Sequence, residues 1–356
     1  MNTENSSIGR MIRFCYIIVQ VMHVRKYVTM RDIAERAGVS VNTVSRVLNN
    51  KPDISKETRE KILKIAKELG YIKNVTASAL RNRQTRIVGV ILEDITNLFF
   101  AEVMKGIEAA ARKQNYQLLL MNTGTDPKKQ REAIQTLLER RVEGILITPT
   151  EGGLSDLEKL ASINVPVVIV GRHFEGLQLD EIHSDEVKGG YLATKHLLSK
   201  GRKNILFINS VPENSAARMR EEGYRKALRE AKVFLPEDYI IVTADPNMEA
   251  GYRAVFKAVE KKLPFDGIFC YNDMFAFGAI RALEELGKRV PQDVAVVGYD
   301  DVTLSSYYRP SLTTIRINKF GLGFEAFKML FQRITGRRKK PKRVIIDVEL
   351  IVRESA

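Results

Sequence analysis

The sequence predicts an α/β protein in which two doubly wound parallel-sheet lobes follow a small all-α N-terminal unit. Three observations predict it. From Arg86 onward, continuous apolar runs of four to seven residues alternate with helical stretches, in two series in tandem; parallel strands covered on both faces require such runs. Before residue 70 the pattern is helical instead, in three short capped segments. Charge divides at the same place: residues 1–86 hold 17 Lys/Arg against 7 Asp/Glu, a net of +10, while the remaining 270 hold 40 against 36, a net of +4. A strongly basic front on a nearly neutral body implies a polyanionic partner for the front alone.

The first helix is capped by Thr29, with Asp32 placed to reach back as in a capping box, and runs to about Arg36 with Ile33, Ala34 and Ala37 inward. "AGVS" makes a tight turn, and Ser40 caps the second helix, within "GVSVNTVSRVLNN" (38–50). There Val44, Val47 and Leu48 share one face at helical spacing, and Asn42, Ser45, Arg46 and Asn49 share the other. A surface helix normally carries long charged side chains on its wet face. This one carries short hydrogen-bonding groups and a single Arg. Ser55 caps a third helix with Ile62, Ile65, Ala66 and Leu69 inward, stopped by Gly70. Two helices joined by a short Gly-containing turn, the second polar outside, predict a helix-turn-helix.

The strands expected in the first lobe are 87–92, 116–122, 143–149 and 166–171; "NILFIN", "YIIVTA", "DGIFCYN" and "VAVVGYD" supply the second. Ligands in doubly wound sheets sit beyond the carboxyl ends of the strands. No GxGxxG follows a strand, so a dinucleotide site has no support. Between the all-α unit and the lobes, "NVTASAL" is too short and too weak a helix former to fold alone, being under ~12 residues. It reads either as a plain linker or as a helix that orders on a partner.

At 44% hydrophobic and 28% charged, the 356 residues suit a folded protein. Cys15 and Cys270 are the only cysteines and there are four histidines, none spaced as a metal or CxxC motif, which fits a reducing cytoplasm. His173, His183 and His196 are scattered singly and no nucleophile–base pair emerges, so neither an enzyme nor a metal or other cofactor is expected. "RFCYIIVQVMHV" is apolar for about nine residues, short of the ~20 that span a bilayer, and no small-residue cleavage site follows, so no membrane partner is expected. Residues 1–27 look unlike the rest, and are expected to be disordered or a mis-assigned start, with Met22 as a later one. "GRRKKPKR" near the end is expected to be a solvated loop.

With these motifs in place, the chain resembles the LacI/GalR family of bacterial transcriptional regulators from Val28 to Ser355. "VTMRDIAERAGVSVNTVSRVLNN" is similar to that family's DNA-binding signature and "NVTASAL" to its hinge helix. "GVILEDITNLFFAEVMKGIEAAA", "SDEVKGGYLATKHL", "ARMREEGYRKAL", "YNDMFAFGAIRAL", "VVGYDD" and "PSLTTIRI" resemble its effector-binding segments in the family's order, and "VELIVRES" its ending. The resemblance implies a periplasmic-binding-protein-like core with crossovers between lobes near Asp185 and near Thr313 to Ile317. The domains expected are a leader at 1–27, a helix-turn-helix at 28–73, a hinge helix or linker at 74–85, and an effector-binding and dimerisation domain at 86–356. It further implies a homodimer on a pseudo-palindromic double-stranded operator, with a small effector changing DNA affinity. No heptad tail follows Ala356, which weighs against a helical tetramerisation tail but leaves a tetramer open. The chain departs from the family pattern at Lys73 and Leu98, where Pro is frequent, at Glu186, where Asn is usual, and at Pro246, where some members place an aromatic ring.

A recognition helix lies in the major groove with its N-terminal residues against base edges. Val41, Asn42 and Arg46 are the expected base readers, for a thymine methyl, an adenine and a guanine. Ser40, Thr43, Ser45 and Asn49 are short donors suited to phosphate, and Tyr71 and Asn74 are expected on the backbone. The resemblance puts Leu80 at the position of a minor-groove wedge, with Ala77 facing the partner hinge. In the cleft, the candidates for effector binding are Asn97, Phe99, Arg172, Arg220, Asn272 and Asp300, with Asp94 and Asp185 equally readable as structural. Carboxylates, amides and guanidinium groups around an aromatic ring suit a polyhydroxylated sugar. For each residue the alternative is a loop cap or an interlobe ion pair. A regulator governed mainly by a protein co-repressor, or a solute-binding receptor, are the competing functions.

Overall fold

The computed structural model describes residues 27–72, 84–150, 152–163, 165–245 and 247–356. The chain divides at Arg83/Gln84 into two units.

In the first unit, α1 (Met30–Ala37), α2 (Val41–Leu48) and α3 (Lys56–Glu68) close on Ile33, Ala34, Ala37, Val44, Val47, Ile62, Ile65 and Ala66. The start signals act as the sequence predicts. Thr29 accepts from Asp32 N while Asp32 Oδ2 accepts from Thr29 N at 2.7 Å, and Ser40 and Ser55 cap α2 and α3. Gly38 ends α1 at φ 66°, a left-handed conformation that a side chain would strain, and so makes the tight turn into α2.

The second unit holds two parallel sheets. In the first lobe the order is β11-β5-β4-β3-β1-β2, from β1 (Ile87–Leu92), β2 (Gln117–Asn122), β3 (Gly144–Ile147), β4 (Val167–Val170), β5 (Asp180–Ser184) and β11 (Arg343–Ile346). Between these strands run α4 (Leu98–Lys113), α5 (Pro127–Glu139) and α6 (Leu154–Ser162). The second lobe orders β12-β10-β9-β8-β6-β7, from β6 (Ile205–Asn209), β7 (Ile240–Val242), β8 (Gly267–Cys270), β9 (Ala295–Asp300), β10 (Thr313–Ile317) and β12 (Val348–Ile351). Its helices are α7 (Glu186–Ser199), α8 (Ser215–Glu230), α9 (Met248–Glu260) and α10 (Asp273–Glu285), and α11 (Lys319–Ile334) packs on α4 of the first lobe. Every pairing is parallel except β12 on β10. Each sheet is covered on both faces, the first by α4/α11 and α5/α6, the second by α7/α8 and α9/α10.

The chain crosses between lobes three times, at Asp185, at Asn318 and at Asp347. The resemblance anticipated the first two; the third was not. β2 corrects a second expectation: it is an edge strand with Leu120 exposed, not a strand buried on both faces. Arg338, inside the basic run expected to be solvated, turns inward and pairs with the buried carboxylate of Asp180.

Candidate functional site

Within the first unit, α2 presents Ser40, Val41, Asn42 and Asn49 to solvent, with Thr43 and Arg46 half-buried. Val44 and Val47 are buried, as their spacing requires, and Leu48 packs against the same core. Ser45 does not follow the prediction. It is buried at 6% exposure, and Asn49 Nδ2 lies over it, bonding its carbonyl oxygen at 2.8 Å. Position 45 is one residue past Val44, so its small side chain turns to the packed edge of the helix rather than the wet face. Arg46 pairs with Asp53 in the loop before α3. Arg59 reaches from α3 to Asn50 Oδ1 at 2.9 Å, fixing the end of α2. Tyr71 packs half-buried against the core. Asn74, Ala77 and Leu80, with Lys73 and Pro246, lie outside the described residues.

In the second unit, all six predicted effector residues, Asn97, Phe99, Arg172, Arg220, Asn272 and Asp300, line one cavity at the carboxyl ends of the strands. Asn97 caps α4 and Asn272 caps α10, each through its side-chain oxygen, so what either offers a ligand is its amide nitrogen. Two buried ion pairs face one another across the lobes. Arg172, at the end of β4, donates to Glu93 at 2.9 Å. Arg220, on α8, donates to Glu186 at 2.6 Å and stands 4.0 Å from Asp300. Its guanidinium lies over the Tyr299 ring, 3.5 Å from the centroid, and 4.5 Å from that of Tyr271. Close helix packing makes this pair possible. A Cβ on Gly190 would fall 2.1 Å from the carbonyl oxygen of Arg220, and one on Gly223 2.1 Å from that of Val187. The two glycines let α7 and α8 approach until Glu186 and Arg220 meet.

Burial pushes the Glu186 carboxyl up, but the Arg220 guanidinium outweighs it and holds the carboxyl below its usual range. Asp300 goes the other way: burial pushes it up to about 8 against the pull of Arg220. Its backbone is strained at φ 108°, a conformation that a non-glycine residue adopts at a cost of roughly 1–3 kcal/mol. Lys319 holds the strained turn by donating to the carbonyls of Asp300 and Asp301, the latter at 2.8 Å. Because the folded chain binds the Asp300 proton more tightly than the unfolded chain, the resulting stability is full below about pH 4 and lost as pH rises through about 8. Melting curves of wild type and Asp300→Asn should therefore diverge from about pH 4 to about pH 8, the wild type losing ground. Parallel curves would contradict the burial of this proton.

Asp94 also lines the cavity but spends one carboxylate oxygen on Thr96. Asp185 caps α7 and does not reach the cavity. The residues that sequence reasoning missed are Glu93, Ser184, Glu186, Ser210, Asn214 and Tyr271. Glu186 stood out as a departure from the family pattern, and that was the available signal. The histidines read as solitary are corrected too: His173 bonds Glu181 at 2.8 Å and stacks on His183.

Residues 29–74 match the family described as "Bacterial regulatory proteins, lacI family", and residues 85–354 match "Periplasmic binding proteins and sugar binding domain of LacI family". The chain is 36% identical over 328 residues to the ribose operon repressor of Haemophilus influenzae, covering 92% of this chain and 98% of the relative. It superposes on the lac repressor dimer bound to operator and the anti-inducer ONPF with a TM-score of 0.83 at 28% identity, over 93% of this chain and 99% of that one. A LacI family transcriptional regulator from Enterococcus faecium with bound ribose gives a TM-score of 0.66 at 32% identity, over 76% and 98%. With a helix-turn-helix in front and a two-lobed cleft behind, both matched along their length, the chain belongs to the LacI family of bacterial regulatory proteins.

Proposed function

We propose that the chain is a repressor of carbohydrate-use genes, acting as a homodimer on a pseudo-palindromic operator in the bacterial cytoplasm. Its operator affinity is switched by a neutral sugar, a pentose such as ribose, held between the lobes. The observation that carries this reading is the pair of buried arginine–carboxylate couples facing each other from opposite lobes, Arg172–Glu93 and Arg220–Glu186. A guanidinium offers paired donors and a carboxylate only acceptors, so together they satisfy hydroxyls that donate and accept at once. Phe99, beside them in the cavity, offers a ring for the C–H face of a sugar. The lining holds four carboxyl groups, Glu93, Asp94, Glu186 and Asp300, against two guanidinium groups. That balance disfavours sugar phosphates and sugar acids. Only about 50 Å³ between the lobes is open to water-sized groups, so a ring-sized ligand enters when the lobes part. The ribose operon repressor and the ribose-bound regulator among its relatives support the same class of ligand, and relatives that are regulators support a non-enzymatic role.

On the DNA side, Val41, Asn42 and Arg46 read bases while Ser40, Thr43 and Asn49 meet phosphates, with Tyr71 and Asn74 on the backbone. Leu80 is the minor-groove wedge and Ala77 the hinge contact. Leu80→Ala should reduce operator bending and specific affinity while leaving effector binding intact, since a wedge acts only on DNA. Phased gel-shift assays measure the bend, and an unchanged bend returns Leu80 to the linker. A thermal-shift screen of neutral sugars, sugar phosphates and nucleobases tests the ligand class. Neutral pentoses should raise the melting temperature and sugar phosphates should not. A response to nucleobases alone would overturn the sugar reading, and no response to any would favour a protein co-repressor.

A further inference from the structure

We propose that His173, Glu181 and His183 form a binding site for a divalent transition metal, Zn²⁺ in the first place, beside the interlobe cleft. A nitrogen of each imidazole and a carboxylate oxygen of Glu181 all lie within 4.8 Å of one another. Glu181 and His183 stand two apart on β5, so their side chains share one face of the sheet. His173 comes to them from the segment after β4 and stacks on His183, ring centroids 5.7 Å apart.

The second observation is an orphaned atom. His183 is buried at 2% exposure, and its Nδ1 is 2.8 Å from the carbonyl oxygen of Ser184. That bond places the ring proton on Nδ1 and leaves the lone pair on Nε2, which is buried and has no hydrogen-bond partner. A buried acceptor without a donor costs free energy. An imidazole that donates one N–H to a backbone carbonyl and keeps the other nitrogen bare is arranged as metal-binding histidines are. Glu181 is buried at 2% and fixed by Phe174 N at 3.2 Å and by Arg343 Nε at 3.1 Å. Arg343 is about half exposed and can turn to solvent when a cation arrives. His173 Nδ1 lies 2.8 Å from Glu181, and a metal replaces the proton they share. Two imidazoles and a carboxylate make a three-ligand set for tetrahedral Zn²⁺ with water as the fourth ligand.

The site sits where it can act on the cleft. His173 follows Arg172, a cavity-lining residue, and its N–H donates across the lobes to Ser215 Oγ at 2.9 Å. A metal on His173 fixes the segment that carries Arg172.

The test uses the full chain, stripped with chelator and titrated with Zn²⁺ by calorimetry and with Co²⁺ by visible absorption. The site predicts one ion per chain, a Co²⁺ spectrum of low coordination number, and a melting temperature raised by Zn²⁺. His173→Ala and His183→Asn should each weaken binding at least tenfold and remove the Co²⁺ spectrum. His196→Asn should change nothing, although His196 Nε2 is also buried and without a partner. His173 is half-buried on a loop, so its variant carries the test even if His183→Asn fails to fold. Failure of the wild type to bind, or binding that survives unchanged in His173→Ala, overturns the site.

Discussion

Arg220→Ala is expected to abolish sugar binding and to destabilise the second lobe by about 3–5 kcal/mol, the usual cost of removing one partner from a buried ion pair. Both effects follow from where the guanidinium lies. It is 4% exposed, donates to Glu186 and to the Tyr271 carbonyl, and fills the space between two tyrosine rings. Without it, Glu186 keeps, among the described residues, the Ser184 hydroxyl as its side-chain hydrogen-bond donor, and a buried carboxylate with that support must take up a proton or draw in water. The two effects can be separated. Arg220→Met together with Glu186→Gln removes both charges and keeps the volume, so the melting temperature should largely recover while sugar binding stays lost. Thermal unfolding and sugar titration calorimetry on the same samples give both readouts. An Arg220→Ala chain that binds the sugar like wild type would remove this residue from the effector site.

Arg46→Ala is expected to cost about 1–3 kcal/mol on the specific operator, a loss of roughly five- to 150-fold, and much less on random duplex. Arg46 and Asp53 are each nearly half exposed, and an exposed pair is weak enough for DNA to displace. The guanidinium can therefore leave Asp53 for guanine. Fluorescence anisotropy on both duplexes at one fixed salt concentration measures the difference, because salt alone moves such affinities strongly. Equal losses on both would make Arg46 a phosphate contact. The same assay on Ser45→Ala should report packing within the helix unit, since that hydroxyl is buried.

Much of this architecture was legible because its signals are local. Caps at Thr29, Ser40 and Ser55, the turn glycine Gly38 and the apolar periodicity placed three helices within a residue or two. Apolar runs marked most of the two sheets. β5 escaped because its sequence, "DEIHS", is polar, although every residue of it is buried. Its charges are met mostly by partners far along the chain: Asp180 meets Arg333 and Arg338, and Glu181 meets Arg343 as well as the nearby His173. No short window of sequence contains the pairings with Arg333, Arg338 and Arg343. For the same reason, the six expected cleft residues were found on motif position, while Glu93 and Glu186, which neutralise the two arginines, were not. Ser45 illustrates a finer limit, since a helical wheel assigns a face but not how far the neighbouring helix extends over it.

Regulation by a sugar requires coupling between the cleft and the DNA-reading unit, and such coupling is reciprocal. The most direct test is the dissociation constant of the identified sugar for the full chain, measured by calorimetry with and without saturating operator duplex. Operator should change sugar affinity by about fivefold or more, and by the same factor by which the sugar changes operator affinity. A sugar affinity that is identical with and without operator would contradict the central claim, however tightly the sugar binds.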